Sequence, residues 1–248
     1  MSAKDEFAEG IREVRVLIKV SDTKRPREAE DAMLSRANAA RRASVVLLIA
    51  HFESYLKSIA EEFVDYLSSG TLESKFIPPA LRELHTMVLV RNIQNSASLT
   101  ERSSHFKKLS QAAQLWNDDA KPSRGALRAE LLSRVVTSAK PDKIDLLFQM
   151  MGGPGRVCDG DIDLKLPDVG PSTLNIRRGV LDVVECRDDI AHGDSSRKPT
   201  SQDVERYVAL LETLADRLDR KTTELKARIV VPVANVAKVP NPVPQGAV

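Results

Sequence analysis

Aromatic residues make up only 4% of this 248-residue chain, and cysteines number two. The first scarcity argues against a β-rich domain, whose strands draw on aromatic and β-branched side chains. The second leaves Cys158 and Cys186 with no CxxC partner, so neither a disulfide framework nor a zinc site is expected. A reducing, cytoplasmic setting fits such a chain. The N-terminus, MSAKDEFAEG, is charged where a signal peptide is apolar. The most apolar run, ASVVLLIA at 43–50, is far shorter than the ~20 residues that span a bilayer, so no membrane role is expected. Net charge is only +2, too little for the whole molecule to attract nucleic acid by its field.

What the sequence does hold is helical periodicity. Phe7, Ile11, Val14 and Ile18 recur at spacings of four, three and four, an amphipathic stripe. Between about Glu28 and Leu67 neither proline nor glycine intervenes, although a break near Asn38 is compatible with the pattern. Residues 43–50 are apolar on all sides, which calls for a central helix covered on most of its surface. Pro78–Pro79 opens another helix, with Leu81, Leu84, Val88 and Leu89 along one side. Further helices are expected over 101–116, 124–138 and 142–151. Ser172 or Thr173 caps the next, whose buried side is Ile176, Val180, Val183 and Val184. The last begins at Ser201 and carries Val204, Tyr207, Leu211, Leu214, Leu218 and Leu225, a seam for another helix in the same chain or in a second one. The fold class is therefore all-α, with a helical domain over 1–228. A tail over 229–248 holds four prolines and cannot stay helical.

Two other segments invite functional readings. Residues 152–171 are rich in glycine and proline, and Asp159, Asp161 and Asp163 imitate the start of a calcium loop. Gly170 stands where that loop needs glutamate, so a structured surface loop with a short hairpin near 156–166 is the better reading. Between 102 and 140, Lys and Arg outnumber the acids Asp118, Asp119 and Glu130, which suits either phosphate binding or a solvated helix face.

The most informative stretch is CRDDIAHGDS, 186–195. Arg187 offers a fixed, two-pronged grip for phosphate. His192 is of the residue type that can serve as base or acid in proton transfer. On an unbroken helix five residues turn through about 140°, so a break between the two, suggested by Gly193, is needed for both to face one cleft. The plain alternative is a capped helix end, with arginine and histidine favoured there by the dipole.

VVECRDDIAHGD resembles the RxxxxH motif of the HEPN superfamily. A second block, RRASVVLLIAHFESYLKSIAEEFVDYL at 41–67, resembles the first core helix of its RiboL-PSP and MAE-type members, with H-x-E-x-Y at His51, Glu53 and Tyr55. The resemblance implies a HEPN-like helical bundle with extra helices and a short non-helical C-terminal tail. It implies a metal-independent endoribonuclease without cofactor, of a toxin–antitoxin or phage-defence system, with RNA as substrate, a homodimer forming the site, and a cognate antitoxin protein as a possible partner. Arg187 would grip phosphate, His192 would transfer protons and Asp188 would orient one of them; family members often carry asparagine at that place. Glu53, alone among apolar neighbours, needs a partner: Arg187, or Arg41, Arg42 or Lys57 at the surface. His51 and Tyr55 are candidate supporting residues or simply packing. The other readings are a catalytically silent HEPN-like module binding protein or RNA, and a helical scaffold without a nucleic-acid role.

Overall fold

The computed structural model describes residues 2–23, 29–166 and 170–230. Helix α1 (Ala3–Asp22) starts at a reciprocal cap: Asp5 N–H donates to the Ser2 hydroxyl, and the Asp5 carboxylate accepts from Ser2 N–H. Its stripe of Phe7, Ile11, Val14 and Ile18 is buried, each side chain contributing about 1.5–3 kcal/mol of apolar burial. The stripe lies on α2 (Glu30–Leu67), one continuous helix of 38 residues, so the chain does not break near Asn38. Gly10 lets the two helices close up, because a Cβ there would lie 2.5 Å from His51 Nδ1.

Helix α2 is the axis of the fold, packed by α1 and by elements from the C-terminal half of the chain. By length and apolarity it could cross a membrane, and half of that apolar window is buried. The 43–50 segment is covered on one side only: Ser44, Val45, Leu48 and Ile49 are buried, whereas Ala43, Val46 and Ala50 face solvent.

After a 3₁₀ turn (Ser74–Phe76), α3 (Pro79–Asn95) begins at its expected proline. Its buried line is Leu81, His85 and Leu89, with Leu84 and Val88 at the margin. Helix α4 (Leu99–Ala112) runs into a second 3₁₀ turn (Ala113–Trp116). The helix expected over 124–138 shrinks to α5 (Ala129–Ser133), because Gly125 sits at φ 92° in a turn and the chain turns again after Ser133. Helix α6 (Pro141–Met150) follows.

Strands β1 (Asp161–Leu166) and β2 (Gly170–Asn175) form an antiparallel hairpin in the register Asp161↔Asn175 to Leu166↔Gly170. The hairpin thus lies further along the chain than 156–166. It consumes Ser172 and Thr173 as strand residues, so Asn175 caps α7 (Ile176–Ala191) instead, accepting from Arg178 N–H. The three aspartates of the would-be calcium loop go to separate partners: Asp159 to Arg177 at 2.8 Å, Asp161 to Asn175 and Asp163 to Thr173.

Helix α8 (Ser201–Val230) buries the whole seam of Val204, Tyr207, Leu211, Leu214, Leu218 and Leu225 inside this chain. Contacts fix the directions. Glu53 meets Arg187 and Arg42 meets Asp194, so α7 runs antiparallel to α2. The Tyr55 and Tyr66 hydroxyls donate to the carbonyls of Ala215 and Lys226, so α8 runs parallel to it. The proline-rich tail beyond Val230 lies outside the described residues.

Candidate active site at the end of helix α7

Arg187 continues the line of Ile176, Val180 and Val183, since eleven residues return a helix to nearly the same angle. Its stem therefore points at α2 rather than at solvent, and its head meets Glu53 at the edge of α2's buried face. The Arg187 Nη2–Glu53 Oε1 distance is 2.7 Å. Ala139 N–H, from the turn before α6, donates to the same oxygen at 3.2 Å. Asp188 Oδ1 lies 3.0 Å from Arg187 Nη1. The Nε–H is shielded from solvent and has no hydrogen-bond partner among the described residues. Glu53 and Arg187 retain 24% and 25% exposure, so this is a half-sheltered pair that solvent reaches from one side. The structure thus joins Glu53, Arg187 and Asp188, and selects Arg187 over Arg41, Arg42 and Lys57 as the partner of Glu53.

His192 stands apart from this cluster. The helix does not break between Arg187 and His192 but continues through Ala191, with His192 at the C-cap. The stop comes one residue later. Gly193 takes φ 86°, its N–H donates to Ile190 O, and Asp194 N–H donates to Asp189 O, a glycine-terminated helix end that satisfies the last carbonyls. The His192 ring is exposed and makes no hydrogen bond among the described residues. Arginine and histidine therefore keep the roughly 140° offset of a continuous helix, and within one chain they do not converge.

The segment after His192 is strapped down by groups that no spacing rule revealed. Arg42 Nη1 donates to Asp194 O at 2.5 Å and to Arg197 O at 3.2 Å. Arg197 Nη2 lies 3.3 Å from Asp182 Oδ1, and Arg206 Nη2 lies 3.2 Å from Asp182 Oδ2. These contacts bind the strap to α2, α7 and α8.

His51 and Tyr55 belong elsewhere. Two residues along a helix turn through about 200°, so the flanking positions of H-x-E-x-Y face away from Glu53. His51 Nε2 lies 3.1 Å from Glu13 Oε2 on α1. The Tyr55 ring packs 5.2 Å from Phe7 and 5.8 Å from Phe52, and its hydroxyl donates to Ala215 O at 2.8 Å. Burial pushes that hydroxyl far above the usual tyrosine range, so it is a fixed donor and a packing residue. Another histidine, His85, is fully buried, with Nδ1 2.8 Å from Leu81 O and Nε2 2.9 Å from Arg128 N. Burial lowers its pKa, which leaves a neutral ring whose Nδ1–H donates and whose Nε2 accepts.

Of the cations between 102 and 140, Lys107, Lys108, Lys121, Arg124, Arg134 and Lys140 are exposed and make no ion pair among the described residues. Among those residues, no three His, Cys, Asp or Glu side chains gather closely enough to hold a metal ion.

Comparison with known proteins agrees with the helical architecture. The profile of the MAE_28990-like HEPN family matches residues 2–226, nearly everything described here. No curated protein and no solved structure was found to match. The match, which covers nearly the whole helical bundle, places this chain in the MAE_28990-like HEPN family.

Proposed function

We propose that this protein cleaves RNA, without a metal, at a site built from Arg187 and His192 of two copies of the chain. The observation that carries the reading is the anchoring of Arg187. Glu53 and Ala139 N–H fix one prong of the guanidinium on the core helix, and the other prong faces the more open Asp188. A phosphate oxygen would displace Asp188 from Nη1 while Glu53 keeps Nη2 in place. One base takes the proton from a ribose 2′-OH, and the 2′-oxygen bonds to phosphorus. The P–O5′ bond breaks and an acid returns a proton to the 5′-oxygen, leaving a cyclic phosphate and a 5′-hydroxyl. The reaction needs a base and an acid, and each chain offers one RxxxxH histidine, so a two-fold partner supplies the second.

The seam on α8 is buried inside the chain and cannot make that contact. The surface that suits it is the open stripe Ala39, Ala43, Val46 and Ala50 on α2, on the side of the helix next to Arg42 and Glu53. A role as a toxin or phage-defence effector in the cytoplasm, neutralised by an antitoxin, is the setting this chemistry would serve.

Purified protein should cut RNA in excess EDTA, His192→Ala should lower the rate by ~10²-fold or more, and light scattering should give twice the chain mass. Equal cleavage with and without His192 sinks the assignment. A second reading has its own support. The Arg187 prongs are already occupied by Glu53 and Asp188, and His192 makes no hydrogen bond among the described residues, which suits a silent module that binds RNA or protein. Expression separates the two: a nuclease slows growth and its His192→Ala variant does not, whereas a silent module is harmless in both forms.

A further inference from the structure

The single tryptophan of the chain is not in the core. Trp116, in the turn after α4, is 53% exposed. It is nevertheless held in place. Its Nε1–H donates to Thr86 Oγ1 at 2.8 Å, and the Arg82 guanidinium lies 5.8 Å from the ring centroid. Arg82 is fixed in turn by Ile77 O at 3.0 Å, Leu115 O at 3.2 Å and Asp118 at 3.1 Å. A loose aromatic on a surface needs no explanation, but one clamped by a hydrogen bond and a cation is already ordered for contact with something flat.

The following segment folds back beside it. Ala120 N–H donates to Asn117 O, Ser123 N–H donates to Gln114 Oε1 at 3.0 Å, and Ala120 O accepts from Ser74 N–H. Lys121 and Arg124 are thereby held next to the turn that carries Trp116. Both are exposed and neither makes an ion pair among the described residues. The neighbouring acids already face cations, Asp118 towards Arg82 and Asp119 towards Lys75 at 3.7 Å.

We propose that Trp116 is a stacking platform for an unpaired nucleobase, with Lys121 and Arg124 taking the flanking phosphates. Every base has a π-face, so such a platform is tolerant of sequence, and only a base outside a duplex can lie on it. A protein partner fits less well, because interface cores favour tryptophan but are depleted in lysine. The inference rests on the reading that this chain handles RNA, though not on which residues cut it. It makes the substrate single-stranded and gives it a contact outside the Arg187 cluster.

Since Trp116 is the only tryptophan, its emission reports on this place alone. The probe is a 2′-O-methyl adenosine octamer, which its own 2′-oxygens cannot cleave, titrated into the full-length protein. Its binding is followed separately by the anisotropy of a 5′-labelled copy. Emission should be quenched along the same isotherm as the anisotropy, and the octamer annealed to its complement should leave emission unchanged. Trp116→Ala should weaken binding roughly tenfold, and Trp116→Phe should recover most of it. Replacing Lys121 and Arg124 by glutamine should flatten the slope of log affinity against log salt by about 1.4. Absence of binding, binding without quenching, equal quenching by duplex, or unchanged affinity in Trp116→Ala each overturns the platform. Cleavage of a long RNA, assayed in parallel, keeps the two ideas separate. Cleavage lost in His192→Ala but indifferent to Trp116 leaves the nuclease and removes the platform. Quenching without cleavage does the reverse.

Discussion

Replacing Glu53 by glutamine tests the site at its foundation. The side chain keeps its size and its acceptor for Ala139 N–H but loses its charge towards Arg187. Exposed ion pairs contribute about 0–1 kcal/mol, and breaking a fully buried one costs about 3–5 kcal/mol. At 24% and 25% exposure the Glu53–Arg187 pair lies between these limits. Asp188, 3.0 Å from the other prong, softens the loss by keeping some negative charge beside the guanidinium. A destabilisation of about 2 kcal/mol follows, which for a chain of this length lowers Tm by about 4–8 °C. Calorimetry on the wild type, Glu53→Gln, Arg187→Gln and the double variant isolates the pair, and a coupling of about 1–2 kcal/mol is expected. Because a half-sheltered charge is worse alone than absent, the double variant should be more stable than the sum of the single losses allows. A Tm for Glu53→Gln within a degree of wild type, or strict additivity in the cycle, refutes the claim that Glu53 holds Arg187.

Other perturbations test the surrounding fold. His85 has a lowered pKa in the folded state, so folding excludes a proton that the unfolded chain accepts below pH ~6.5. Its stabilising effect is complete above that pH and is lost as pH falls through the acid range, and His85→Gln should flatten the Tm–pH curve there; an unaltered curve counts against a neutral buried ring. Gly193→Ala meets no atom within 4 Å, so its cost is the left-handed backbone alone, about 1–2 kcal/mol by urea titration. Gly179→Ala sets two effects against each other. Helix propensity favours alanine by about 1 kcal/mol, but its Cβ would lie 2.7 Å from Leu174 and 2.8 Å from the buried Leu210, and overpacking costs about 1–3 kcal/mol. Net destabilisation is expected, and a stabilised variant would mean that the β2–α7–α8 contact is looser than described.

The helices with one repeating apolar line, α1 and α7, could be read directly, because a period near 3.6 records a face as well as a conformation. The pairing of Glu53 was legible for a different reason. A lone carboxylate at the edge of a buried helix face needs a cation, and Arg187 continues the buried line of its own helix. The same periodicity explains why His51 and Tyr55 lie away from Glu53: residues two apart share a strand face, not a helix face. Where local signals compete, the reading failed. Ser172 and Thr173 are good caps, but pairing with β1 drew them into a strand and passed the cap to Asn175. The α8 seam announced a partner without saying whether it lay in the same chain. Nothing local marks Arg42 or Ala139 N–H, since their roles depend on backbone groups distant in sequence.

The separation of 134 positions from Glu53 to Arg187 has a consequence during synthesis. The α1–α2 hairpin is local and can close as soon as it leaves the ribosome, but the arginine that completes the cluster is added only long after Glu53. At about 5–20 residues per second, Glu53 exists for roughly 7–27 seconds before Arg187 is joined. Throughout that interval α2 exposes the faces that α7 and α8 will cover, which is when a chaperone has most to hold. A nascent chain that has not yet reached Arg187 has no assembled cluster, whatever its apolar burden, so the message being translated meets the candidate site only after that arginine has emerged.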